Sequence, residues 1–278
     1  MYKKYKLKIC DIAFAHSVSS SDNIPKWVEW DRTPIKPSDT CFFTDLMLPH
    51  AQNYFCKKKI AWLLEPPCII NNSYSFVERN PDLFDYILTH NLEWKKNQSI
   101  ELQNKILYYP MGAVWTKPQD VKIYPKTSNL SIIASDKNYA PGHKLRHEVV
   151  RKFGNYIDGL FGRGYQPIQY KLDGHRNYRF SLAIMNMRLD DYFTDIILDC
   201  FAAGTVPIWW GTPNINKYFN SDGIIQFETL EELENILSSL NEDLYQSMLP
   251  AIEDNIQRVE QYRTAEDWFI QQYGQLLL

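Results

Sequence analysis

At 278 residues and 32.8 kDa the chain is long enough for about two compact domains, and its 45% apolar and 23% charged content excludes extended disorder. Thirty Lys+Arg against 33 Asp+Glu leave a formal net charge of −3, which offers no overall positive field to a nucleic-acid backbone. Five cysteines, odd in number and with no C-x-x-C pair, argue against a disulfide framework or zinc ribbon and for a reducing, cytoplasmic setting. The opening MYKKYKLKICDIAFAH has neither the apolar core nor the cleavage site of a secretion signal, so the N-x-S sequons at Asn71, Asn97 and Asn129 are read as incidental. No stretch reaches the ~20 uninterrupted apolar residues of a membrane-spanning helix, so no transmembrane segment is expected.

In chain order, short apolar runs at Leu7–Phe14, Cys41–Leu48, Ile60–Leu64, Phe84–Leu88 and Ile106–Tyr109 read as strands. Their hydrophobicity is continuous rather than alternating, as expected of a parallel sheet covered on both faces. Residues 15–40 carry no interpretable motif. The polar, proline-containing segment Thr116–Ser128 reads as a linker, giving domains 1–122 and 123–278. Beyond it, strands are predicted at Leu130–Ala134, Ile157–Phe161, Phe180–Met185, Val206–Trp210 and Gly223–Phe227, with helices at His143–Phe153, Tyr192–Ala203 and Thr229–Leu240. In the middle helix Phe193, Ile196, Ile197, Cys200 and Phe201 form one apolar stripe, with Asp191 as the expected N-cap and Gly204 as the end. From Asp243 to Leu278 the pattern is helical, and a tail of that kind can return to brace the first domain. The fold class is α/β.

Several common signatures are missing. Gly162-Arg163-Gly164 lacks the third glycine of a dinucleotide fingerprint, and neither a phosphate-binding G-x-x-x-x-G-K-[ST] loop nor G-x-S-x-G occurs. His143 and His147 have i, i+4 spacing but not the zincin glutamate, so no metal site is assigned. The informative region is Arg179–Phe219, where a buried strand ends at Asn186 and a helix follows whose N-terminal amides suit an anion beyond the strand ends.

This region resembles the donor-binding motif of glycosyltransferase family 10, the α1,3/1,4-fucosyltransferases. The matching residues are Phe180–Asn186, then Asp191-Tyr192-Phe193-Thr194-Asp195-Ile196, then Ala203–Asn214 with Gly204, Pro207, Gly211 and Pro213 in place. Ala134-Ser135-Asp136-Lys137-Asn138 followed by Arg146, and Phe84-Asp85-Tyr86, resemble upstream family segments. The resemblance covers about residues 60–240. It implies a GT-B-like fold of two Rossmann-like β/α/β domains facing a cleft, with the acceptor domain first and the donor domain second.

It also implies an inverting, metal-independent transfer without a cofactor, from a nucleotide sugar to an oligosaccharide or glycoconjugate hydroxyl. GDP-fucose leads by family precedent. Arg146 is then assigned to the diphosphate, assisted by Lys137 and Ser135; Asn186, Tyr192 and Thr194 to phosphate or base; and Asp195 to the ribose. The general base is sought first at Glu93, then Asp85 and Glu65, with His90 a further candidate on intrinsic pKa. A gapless alignment from Phe84 places Leu92 at the family base position, so Glu93 requires a one-residue shift. Two positions depart from the pattern: Met185 replaces a glutamate, and Asp195-Ile196 replaces a glutamate–lysine pair, removing a cation. A UDP-linked donor such as UDP-xylose, or a catalytically inactive carbohydrate-binding protein, is the alternative; a sugar-nucleotide epimerase is disfavoured by the missing fingerprint.

Overall fold

The computed structural model describes residues 4–277 apart from 15, 16, 22 and 111. Its contacts divide the chain into two compact units, one of Met1–Ala113, Asp190–Tyr192 and Arg263–Leu278, the other of Val114–Leu189 and Phe193–Tyr262.

In the first unit, β1 (Tyr5–Cys10), β2 (Val28–Asp31), β3 (Thr40–Thr44), β4 (Lys58–Leu63), β5 (Tyr86–Thr89) and β6 (Ile106–Tyr108) form a sheet in the order β2-β1-β3-β4-β5-β6. Every pairing is parallel. Alternate residues serve opposite faces, which explains the continuous apolar runs. Cys41, Phe43, Ala61, Leu63 and Ile87 pack with Tyr74 and Val77 of α1 (Pro67–Arg79), whereas Phe42 and Trp62 meet Trp30 in an aromatic cluster. Two short helices, α2 (Leu92–Lys96) and α3 (Ile100–Lys105), connect β5 to β6.

The expected strand Cys41–Leu48 stops at Thr44, because Asp45 takes a left-handed φ of 36° and Asp45–Asn53 winds into a 3-10 helix. The run Leu7–Phe14 likewise forms a strand only through Cys10. Residues 15–40, which showed no motif, contain β2, a four-residue VEWD edge strand too short and too charged to stand out.

In the second unit, β7 (Ser128–Ile133), α4 (Pro141–Phe153), β8 (Gly159–Phe161), β9 (Tyr178–Ile184), α5 (Asp195–Ala202), β10 (Val206–Trp210) and β11 (Ile225–Gln226) are followed by α6 (Leu230–Ser239) and α7 (Glu242–Val259). Its five-stranded sheet, again all parallel, has the order β11-β10-β9-β7-β8. The last helix, α8 (Ala265–Tyr273), belongs to the first unit. Leu278, the last residue of the expected helical tail, lies outside the described residues.

The segment read as a linker, Thr116–Ser128, is anchored rather than free. The buried Asp199 carboxylate on α5 accepts hydrogen bonds from Trp115 N, Thr116 N and Thr116 Oγ1, and Lys126 donates to the Ala203 carbonyl. Each sheet has a topological switch point where successive connections depart in opposite directions: between β1 and β3 in the first unit, and between β7 and β9 in the second. In open parallel sheets ligands bind beyond the strand carboxyl ends at such points.

Candidate functional site

A pocket of about 450 Å³ opens at the β7–β9 switch point of the second unit. The β7 exit lines it with Ile133, Ala134, Ser135 and Lys137; α4 contributes His143 and Arg146; the turn after β8 brings Gly162 and Arg163; Asn186 follows β9; and Asp195 and Ile196 open α5. Lys171, which opens a 3-10 turn at Lys171–Gly174 before β9, and His175, which follows that turn, complete the polar lining. Two glycines allow this convergence. A Cβ at Gly142 would lie 1.6 Å from the Met185 carbonyl oxygen, so only glycine lets the start of α4 approach the end of β9, where Gly142 N donates to Asn186 O at 2.9 Å. Gly162 has a φ of 109°, and a Cβ there would lie 1.9 Å from Ala134 O.

Arg146 is 7% exposed and fixes the pocket wall. Its Nε donates to Ile184 O at 2.9 Å and a terminal nitrogen donates to Asn186 Oδ1 at 3.1 Å. Asp195 is ion-paired with Lys171, whose ammonium lies 4.5 Å from the Trp115 ring centroid. Arg163 pairs with Asp136 at 2.9 Å, both largely exposed. The histidines lining the pocket are neutral. Burial, reinforced by Arg146, Lys137 and His147, pushes His143 down to about 4, and burial with Lys126 and Lys171 pushes His175 down to about 3. Fixed positive charge therefore comes from Lys and Arg side chains.

The structure brings Ser135, Lys137, Arg146, Asn186 and Asp195 to this pocket, but not Tyr192 or Thr194. The predicted helix start at Tyr192 is corrected to Asp195, because Asp191 has a φ of 61° and the Thr194 hydroxyl caps α5 by accepting from Ile196 N at 3.4 Å. Asp191 is therefore not the cap. Tyr192 is fully buried in the first unit, stacked on His90 at 4.1 Å between ring centroids. His143 and His147 are separately engaged: His143 Nδ1 accepts from Ala140 N at 3.3 Å, and His147 contacts Tyr165 and the Lys137 carbonyl. Lys171, Arg163, His143 and His175 were missed as pocket residues. The dismissed Gly162-Arg163-Gly164 turn held a clue to Arg163, whereas nothing in the sequence around Lys171 marks it.

In the first unit the proposed bases separate by position. Asp85 precedes β5, at the amino end of the sheet, where its carboxylate accepts from Lys59 N at 2.7 Å; that is a structural role away from the ligand-binding edge. His90 is fully buried, neither ring nitrogen has a hydrogen-bond partner among the described residues, and burial pushes its pKa down to about 3, so this imidazole is enclosed rather than poised for proton transfer. Glu93 is exposed in the first turn of α2. Glu65 lies just beyond the carboxyl end of β4, half-buried, and Asp45 lies at the end of β3 beside the β1–β3 switch point. Asp45 accepts from Leu64 N at 2.9 Å, and burial with the neighbouring Glu65 charge pushes it up to about 7. Asp45, absent from the sequence-based candidates, thus lies close enough to Glu65 to feel its charge, beyond the carboxyl ends of β3 and β4.

Two all-parallel α/β units, one with a cation-lined switch-point pocket, define a GT-B-like protein. The fold comparison agrees. An α1,3-fucosyltransferase crystallised with GDP superposes at a TM-score of 0.54 with 15% identity, covering 94% of this chain and 91% of that one. The Anabaena protein HepE in complex with UDP-glucose gives 0.56 with 12% identity, covering 86% and 79%.

By sequence, residues 124–250 match the glycosyltransferase family 10 (fucosyltransferase) C-terminal model. A fucosyltransferase-like protein of Arabidopsis thaliana is 34% identical over 67 residues, 24% of this chain and 13% of that protein. The alpha-(1,3)-fucosyltransferase FucT of Helicobacter pylori is 30% identical over 110 residues, 38% of this chain and 23% of that protein. The matches therefore span less than a quarter of either relative. Among the described residues no helix is long and apolar enough to cross a membrane.

Proposed function

We propose that the protein is an inverting glycosyltransferase that moves a sugar from a nucleoside-diphosphate donor, held in the second unit, to a glycan hydroxyl, without a metal ion. The carrying observation is the switch-point pocket in which Arg146, Lys137 and Lys171 surround the start of α5. Cations beside the positive end of a helix dipole together suit a departing diphosphate. In the reaction the acceptor oxygen attacks the anomeric carbon, the bond from that carbon to the diphosphate oxygen breaks, and the bonding electrons leave with the nucleoside diphosphate. The acceptor's proton passes to a carboxylate. Its position supports Glu65, with Asp45 beside it, ahead of Glu93. GDP-fucose is the proposed donor, by family resemblance and by the fucosyltransferase structure solved with GDP-fucose; UDP-glucose in HepE makes UDP sugars the comparison arm.

Calorimetry and turnover with GDP-fucose, UDP-glucose and UDP-xylose, each with a glycan acceptor panel, test this reading. One donor is expected to bind and turn over. Glu65→Gln is expected to retain donor binding and lose at least about a hundredfold in transfer, the usual scale of general-base catalysis, while Glu93→Gln retains most of its rate. Failure of every nucleoside diphosphate and nucleotide sugar to bind would overturn the proposal; binding without transfer would identify a non-catalytic sugar-nucleotide binder.

A further inference from the structure

The pocket must accommodate a carboxylate and a diphosphate together, and Asp195 makes this an electrostatic problem. It occupies the first position of α5, the same helix end that would face the anion. A carboxylate there complements the helix dipole, but it repels a second negative group unless a cation lies between them. The helix does not supply one, since the next residue is Ile196.

The other pocket cations are less suited to this task. Arg146 is tied to the Ile184 carbonyl and Asn186 as part of the wall. Arg163 and its partner Asp136 have side chains 67% and 59% exposed, where water and salt weaken their fields. Lys137 is on the exposed rim.

Lys171 differs from them. Its ammonium is bonded to the Asp195 carboxylate and lies beside the Trp115 ring, while its side chain remains 31% exposed and lines the same pocket. An ammonium has three donors on a flexible stem, so one bond to Asp195 leaves capacity for phosphate oxygens. Its charge also reaches deeper into the site, contributing to the lowered pKa of His175.

We propose that Lys171 binds the donor diphosphate directly and bridges it to Asp195, supplying from outside α5 the positive charge that Ile196 cannot. This deepens the proposed function and rests on it. Asp195 can then engage ribose hydroxyls without repelling the phosphates.

The experiment compares GDP with GMP and UDP with UMP by calorimetry on wild type, Lys171→Met, Lys171→Arg and the double variant Lys171→Met/Ile196→Lys, with thermal melting of each as a folding control. Wild type is expected to bind one diphosphate more tightly than its monophosphate. Lys171→Met is expected to lose about tenfold to a hundredfold in diphosphate affinity and little in monophosphate affinity, the scale of one hydrogen bond to a charged group. Lys171→Arg retains most of the preference, and the double variant restores it in part, which a merely structural lysine would not allow. If wild type binds a diphosphate and Lys171→Met keeps the same preference, the Lys171 proposal is overturned while the donor pocket stands. If wild type binds no nucleotide, both fall.

Discussion

His143 and His175 look at first like titratable partners for an anionic ligand, being imidazoles that line a pocket rich in positive charge. Their positions argue otherwise. Burial disfavours the imidazolium and neighbouring Lys and Arg repel it, so both remain neutral throughout the physiological range. A nucleotide sugar, esterified at both ends of its diphosphate, also keeps constant charge there. Its dissociation constant, measured calorimetrically between pH 5.5 and 8, is therefore expected to vary by no more than about twofold, within the precision of such affinity arithmetic. Steep tightening as pH falls through 6.5 would show a histidine gaining its proton on binding. Asp45 behaves in the opposite sense. Its folded carboxyl keeps a proton up to about 7, whereas the unfolded chain releases it near 3.8, so the folded state binds more protons across that window. Stability then falls as pH rises from about 4 to 7. Asn tolerates the left-handed φ and can still accept from Leu64 N. Asp45→Asn should flatten this slope and gain roughly 2–4 kcal/mol over wild type near pH 7.5, the free-energy equivalent of such a shift. Urea unfolding midpoints at pH 4.5 and 7.5 provide the measurement.

Among elements, α4 and α5 show why some of the site was legible in the sequence and some was not. The strands entering the pocket announce themselves through continuous apolar runs, because both faces of each sheet are covered. Arg146, Asn186 and Asp195 follow such runs at unequal distances, and the resemblance to the family motif, not their spacing, marks them as donor-site candidates. The beginning of α5 could not be read from its apolar stripe, since Phe193 is buried without being helical; the Thr194 cap sets the boundary. Lys171 reaches Asp195 from 24 residues away, on the far side of β9, a contact made by tertiary closure that no periodicity encodes. Gly142 also carries a meaning hidden from propensity. An alanine in a helix normally gains up to about 1 kcal/mol over glycine, but here its methyl would collide with the Met185 carbonyl. Gly142→Ala is therefore expected to destabilise by roughly 1–3 kcal/mol, as overpacking does, and to weaken donor binding by displacing α4 and Arg146. A melting temperature at or above wild type would show that the helix accommodates the methyl group.

For the whole molecule, each unit has its own sheet, yet the first draws part of its core from the far end of the chain. The buried Glu266 on α8 accepts from Ser20 N, the Ser20 hydroxyl and Trp30 Nε1, and Asp267 accepts from Lys26 N at 2.8 Å and Trp27 N at 3.0 Å. Phe269 closes the same surface by packing edge-on against Phe42. These bonds hold the chain entering β2, a four-residue edge strand with little apolar burial of its own. Asp267→Ala removes the acceptor for two backbone amides without creating a large cavity; water can replace it at the exposed Lys26 N, so the cost, set by the part-buried Trp27 N, is about 1 kcal/mol. If the units open separately, that cost should be confined to the first. Amide hydrogen exchange in β1, β2 and β3 should accelerate, β2 most, while β7, β9 and β10 retain wild-type protection. Equal acceleration in both sheets would mean that α8 stabilises a single cooperative structure spanning both units.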